Sequence, residues 1–135
     1  MGTKVFVNLP VKDLDKSKEF FSKLGFTFNA QFTNKDAACM VISEDNYAML
    51  LTEPFFKTFT KKEIINAKKS TEVLIALSSA SKEDVNKMLT SALTAGAKEA
   101  NEPQDHGFMF GRSFEDLDGH IWEVFWMDPN MVQKS

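Results

Sequence analysis

The segment Phe114-Glu115-Asp116-Leu117-Asp118-Gly119-His120-Ile121-Trp122-Glu123 joins two strands through an acidic turn. Asp116-Leu117-Asp118-Gly119 supplies the turn residues. Aromatic and β-branched runs on either side predict strands over Phe108 to Phe114 and His120 to Trp126. Upstream, Ser81 followed by Glu83 and Asp84 reads as the start of a helix. Val85, Met88, Leu89 and Leu93 make its apolar stripe and Gly96 ends it. Val73-Leu74-Ile75-Ala76-Leu77 precedes that helix as a strand, and Ala97-Lys98-Glu99 follows it as a short one.

The same order of elements occurs once before. Val5-Phe6-Val7-Asn8-Leu9 predicts a strand, and Asp13 or Asp15 caps a helix with Leu14, Phe20, Phe21 and Leu24 on one face. Gly25 closes it. Phe26, Phe28, Ala30 and Phe32 alternate as a strand would, and Ala37 to Ser43 and Tyr47 to Thr52 are two more strands around Glu44-Asp45-Asn46. Laid on each other, Leu24-Gly25-Phe26 matches Ala95-Gly96-Ala97, and Met49-Leu50-Leu51 matches Trp122-Glu123-Val124. The expected fold is therefore one α+β domain over residues 1–135. It consists of two tandem β-α-β-β-β modules, about 4–52 and 72–127, forming a curved mixed sheet with a central trough and helices on the outer face. Residues 53–71 read as a linker, with a short helix around Lys61 to Lys68.

Composition narrows the function. A net charge of −3 with interspersed Lys and Glu gives no basis for general nucleic-acid or acidic-lipid affinity. Gly107 and Gly111 are too sparse for a phosphate-cradling loop. Cys39 is the only cysteine, which excludes an internal disulfide and a cysteine-based zinc site. No apolar run is long enough to span a bilayer, and Met1-Gly2-Thr3-Lys4-Val5 reads as the approach to a strand, not as a leader or acylation signal. A reducing cytosol is the expected compartment. The 13 Phe residues call for many flat apolar walls.

Strand alternation assigns the candidate site. Val5, Val7 and Leu9 suit the helix side, which leaves Phe6 and Asn8 for the trough. By the same logic Leu74 and Ala76 face it on the matching strand, and Leu50 and Glu123 on the last strand of each module. A carboxyl among Phe6, Leu50 and Leu74 is expected to lose hydration, which raises its pKa and suits it to acid–base work or to anchoring a cation. Arg112 is a candidate to pair with Glu123 or bind an anionic substrate. Phe108, Phe110 and Phe114 are candidate pocket walls, and His106, in the predicted loop 103–107, a candidate hydrogen-bond donor to a ligand. His120, at the turn, has the wrong parity to join Glu123. Phe55, Phe56 and Phe59 need burial, as a lid or as a dimer patch.

The order of elements, the helix entry Leu9-Pro10-Val11-Lys12-Asp13-Leu14 and the ending from Phe114 to Glu123 resemble the glyoxalase / bleomycin-resistance / extradiol dioxygenase superfamily, the vicinal oxygen chelate fold. The resemblance runs from about Lys4 to Trp126. In its metal-dependent members four central positions hold His or Glu ligands. Carried over, they fall on Phe6, Leu50, Leu74 and Glu123, and three of these cannot ligate. The resemblance thus implies a protein without metal or other cofactor that binds a small apolar or aromatic molecule, with Phe6, Asn8, Leu50, Leu74, His106, Phe108, Phe110 and Arg112 as binding candidates. A lyase or isomerase using Glu123 as acid or base, or a metal-dependent lactoylglutathione-lyase or dioxygenase type, are the alternatives. A homodimer is also implied; a nucleic-acid or membrane partner is not.

Overall fold

A computed structural model describes residues 2–131. It divides into two compact units, Met1–Ile65 and Asn66–Ser135, each taken by itself below.

The first unit runs β1 (Val5–Val11), α1 (Leu14–Lys23), β2 (Thr27–Asn29), β3 (Ala37–Val41) and β4 (Asn46–Thr52). Its four strands form a sheet in the order β1-β4-β3-β2, with β1 parallel to β4 and the other pairs antiparallel. Asp13 starts α1, its carboxylate accepting the Lys16 amide at 3.1 Å. Gly25 takes a φ of +101°, which lets the chain leave the helix through a left-handed residue. Leu14, Phe20 and Phe21 are buried, together with Leu9, Val11, Ala38, Met40, Ala48 and Leu50.

The second unit repeats the topology with β5 (Leu74–Ser78), α3 (Lys82–Thr94), β6 (Lys98–Asp105), β7 (Met109–Glu115) and β8 (Ile121–Met127), in the order β5-β8-β7-β6. Again the first and last strands are parallel. Its core is Val85, Leu89, Ala92, Phe114, Trp122 and Val124. Ser81 caps α3, its hydroxyl accepting the Asp84 amide at 3.1 Å. Ser81→Ala should lower stability by about 1 kcal/mol in a denaturant titration, through loss of that cap.

Several expected elements differ. The strand expected from Phe26 to Phe32 stops at Asn29. The Asn29 side chain accepts the Gln31 amide at 2.9 Å and turns the chain into a 3-10 helix over Ala30–Phe32, leaving Phe32 56% exposed. A local side-chain bond has outcompeted the ladder there. No helix forms at Lys61 to Lys68. Instead α2 (Glu53–Phe56) and a 3-10 turn (Lys57–Phe59) follow β4 directly, and α2 packs on β1 and β4. Phe55 and Phe59 meet edge-on at 5.1 Å, with Phe59 69% exposed. In α3 the buried stripe is Val85, Leu89 and Ala92; Met88 is half-buried and Leu93 exposed. The predicted loop at 103–107 is strand as far as Asp105. Pro103 is tolerated because β6 is an edge strand, and its register to β7 slips twice, between Glu99 and Gln104.

Among the described residues no helix is long and apolar enough to cross a membrane.

Candidate functional site

Register decides which side chains share a face, because paired residues project to the same side and neighbours along a strand to opposite sides. In the second unit Glu123 pairs with Ala76 on β5 and with Ser113 on β7. Leu74, Met109, Gly111, Phe125 and Met127 lie on that same face. Arg112, one residue along, pairs with Val124 on the other face. Its guanidinium donates to Asn86 of α3 at 2.9 Å and to Glu99 at 3.0 Å. The Glu123 face is therefore the one turned away from α3.

Four candidates move as a result. Arg112 does not meet Glu123; it ties β7 to α3 and to the edge strand. Phe110, which pairs with Trp126, lies on the α3 side, and Phe114 is fully buried there opposite Trp122. Phe108 lies before β7 and is 44% exposed. Phe110 and Phe114 are thus helix-side residues, and the site face of β7 is Met109, Gly111 and Ser113.

The same logic corrects the first unit. The β1 register pairs Phe6 with Tyr47, Asn8 with Met49 and Leu9 with Leu50. Leu50 therefore shares its face with Leu9, opposite to Phe6, and it is fully buried. The turns locate the equivalence: the Ile42 amide donates to the Asn46 carbonyl as the Asp116 amide donates to the His120 carbonyl. Counting from there, Met49, not Leu50, is the counterpart of Glu123, and Cys39, paired with Met49, is the counterpart of Ser113. The expected alignment was one residue out of step, which reverses every facing on a strand. Phe6 and Asn8 keep their expected face and are exposed; the Phe6 ring stacks on Tyr47 at 4.7 Å, with the Lys4 ammonium 5.6 Å from the Tyr47 ring. Burial pushes the Cys39 thiol up from its ordinary value.

Around Glu123 a cleft of about 310 Å³ opens within the second unit. Its apolar lining includes Met109, Phe125 and Met127; Asn101, Gln104 and Ser113 add amide and hydroxyl groups, and Glu102 a second carboxylate. Gly111 forms part of the floor, and a side chain there would meet only Phe125 and the Val124 carbonyl at 3.7 Å. Glu123 is exposed, so the dehydration expected from apolar neighbours does not occur. Leu74, 53% exposed, shares the face but is not part of the lining, and neither is His106, which is exposed beyond the end of β6.

His120 is buried, not partly exposed as its turn position predicted. The reason is Asp116, which the sequence reading passed over as a turn residue. One Asp116 carboxylate oxygen accepts the amides of Asp118 at 2.9 Å and His120 at 3.0 Å, and the other accepts the Trp122 indole N–H at 2.9 Å. This bond set folds the turn back on the core and aims β8. Burial raises the Asp116 pKa above its ordinary value, opposed by the nearby His120 and by these hydrogen bonds. An acidic residue six before a tryptophan was the available signal.

A metal centre needs several donors converging. In the second unit the Glu123 face takes Leu74 and Ala76 from β5 and Ser113 from β7, and Glu123 is the carboxylate that β8 offers. Among the described residues no three His, Cys, Asp or Glu side chains gather. On that face of the second unit the donors are too few to fit a metal ion.

The twice-repeated β-α-β-β-β unit, whose first strand forms a sheet edge parallel to the last strand, defines the class: two tandem units with the topology of the vicinal oxygen chelate fold. Residues 3–43 match the family described as bleomycin resistance protein-like N-terminal. Among solved structures, hypothetical protein SA1046 from S. aureus is 25% identical, with 93% of this chain and 94% of that one covered and a TM-score of 0.79. A glyoxalase/bleomycin resistance protein/dioxygenase family enzyme from Burkholderia phytofirmans is 14% identical over 93% and 99%, with a TM-score of 0.75. The genomically encoded fosfomycin resistance protein of Listeria monocytogenes is 16% identical over 100% and 96%, with a TM-score of 0.67. A comparison with curated protein sequences finds no match. The solved structures share the fold of this chain, and the match to the bleomycin resistance protein-like family is confined to residues 3–43.

Proposed function

We propose that the protein binds a small apolar or aromatic molecule, without a metal ion, in the cleft around Glu123. The observation that carries this reading is the lining itself: Met109, Phe125 and Met127 around Glu123, with Glu102 the other carboxylate, where a metal site would need further converging donors. Apolar walls with a few convergent polar groups are what small-molecule sites consist of. Catalysis by Glu123 draws less support, because it rested on a dehydrated carboxyl and this one is exposed. A homodimer in a reducing cytosol is part of the same proposal, supported by the superfamily resemblance and by a sole, buried cysteine; light scattering on purified protein checks the dimer.

The test is a small-molecule thermal-shift screen run with chelator and with added divalent metals. Aromatic compounds should raise the Tm equally in both arms, since ligand bound to the native state alone stabilises it by mass action. Stoichiometric nickel, zinc, iron or manganese in the purified protein, or shifts that need a divalent ion, would sink the reading.

A further inference from the structure

We infer that the cleft selects a ligand carrying a protonated amine, held between the Glu123 carboxylate and the Ser113 hydroxyl. The inference rests on the binding function proposed above and names its ligand class.

Ser113 is the starting point. It is 6% exposed, yet its hydroxyl makes no hydrogen bond to the described residues, and it belongs to the cleft lining. Among the described residues no buried side-chain oxygen lacks a partner, so this hydroxyl is open to the cleft, where an entering ligand can meet it. Register puts it directly opposite Glu123 across the β7–β8 pair, on the same face. The two groups present acceptor oxygens side by side, which suits a ligand atom bearing more than one N–H.

Charge sets the sign. The cleft's carboxylates are Glu102 and Glu123. Its one cation, Arg112, is turned to the other face and held by Glu99 and Asn86. An anionic ligand would meet two like charges and no free cation, whereas an ammonium group gains a charge-assisted hydrogen bond. The apolar remainder has Met109, Met127 and the Phe125 ring to lie against. Space comes from Gly111, whose missing side chain leaves the floor of the cleft open beside Phe125.

The experiment uses three probes of one shape: 2-phenylethylamine, 2-phenylethanol and phenylacetate, titrated at neutral pH and low salt into 15N-labelled protein. Wild type, Ser113→Ala, Glu123→Gln and Gly111→Leu are compared. The amine should bind at least about tenfold more tightly than the alcohol, and phenylacetate least. Glu123→Gln should erase the preference for amine over alcohol, and Ser113→Ala should weaken the amine about three- to tenfold while leaving the alcohol nearly unchanged. Gly111→Leu, at a position free of backbone strain, should block all three probes. Equal or tighter binding of the alcohol or the acid in the cleft overturns the amine preference and leaves the binding function standing. Amine binding that survives all three substitutions overturns it as well. If no probe of any charge shifts the amides of Gly111, Ser113 and Glu123, both the inference and the function on which it rests are lost.

Discussion

Asp116→Ala should cost about 3 kcal/mol of stability, seen as a Tm lowered by roughly 10 °C and a smaller denaturant midpoint with unchanged slope. The magnitude follows from what the carboxylate does. It satisfies two turn amides and the indole N–H of Trp122, a side chain that is fully buried. Removing it strands donors that water cannot reach, and each such donor costs about 1–3 kcal/mol. Asp116→Asn keeps one oxygen for the two amides but turns an NH2 toward the indole or loses one of the acceptors, so it should fall between wild type and alanine. The variant series also has a pH signature. Burial raises the folded-state pKa of Asp116 above its ordinary value of 3.8, so the folded protein takes up this proton before the unfolded chain does. Through this group stability rises as the pH falls from above the folded pKa toward 3.8, and the excess is lost again as pH climbs. The wild-type advantage over Asp116→Ala should therefore widen on mild acidification; an advantage that narrows would contradict a raised pKa.

Gly119→Ala should cost about 2–3 kcal/mol, a large effect for one methyl group. Gly119 has a φ of +95°, where an L side chain is strained. The added carbon would also lie 2.8 Å from the Ala67 carbonyl carbon and the Lys68 amide nitrogen, which are backbone atoms and cannot rotate aside. Gly25→Ala serves as the control: φ is +101° there, but nothing lies within 4 Å, so only the backbone strain remains. The difference between the two losses measures the contact. Equal losses would show that the 66–70 segment yields freely to the new methyl.

The duplicated topology was legible because its signals are local. Asp13 and Ser81 announce helix starts, Gly25 and Gly96 announce ends, and both acidic turns bring a last strand back. Errors began where a competing local bond was equally short-ranged: Asn29 ends β2 by accepting the Gln31 amide, which no apolar alternation reveals. The candidate site was half legible. Glu123, Phe6, Asn8 and Leu74 lie on the faces expected, because each strand's own alternation is unambiguous. Leu50, Phe110 and Arg112 do not, for different reasons. Leu50 was placed by laying one module on the other a residue out of step, and a single step reverses the face. Arg112 was expected to pair with Glu123 or to bind an anionic substrate, whereas Glu99 and Asn86 reach it from β6 and α3, 13 and 26 residues away.

By itself the sequence determined the order of elements, the repeat, the caps and the face of Glu123 on its strand, since each depends on residues within a turn or a strand. Only the tertiary structure decided that Ser113 stands opposite Glu123, that Arg112 is already occupied, and that Asp116 is buried under Trp122. Those are matters of register and of which distant groups arrive first, and hydrogen-bond pairing between strands is settled by packing the whole sheet on its helix.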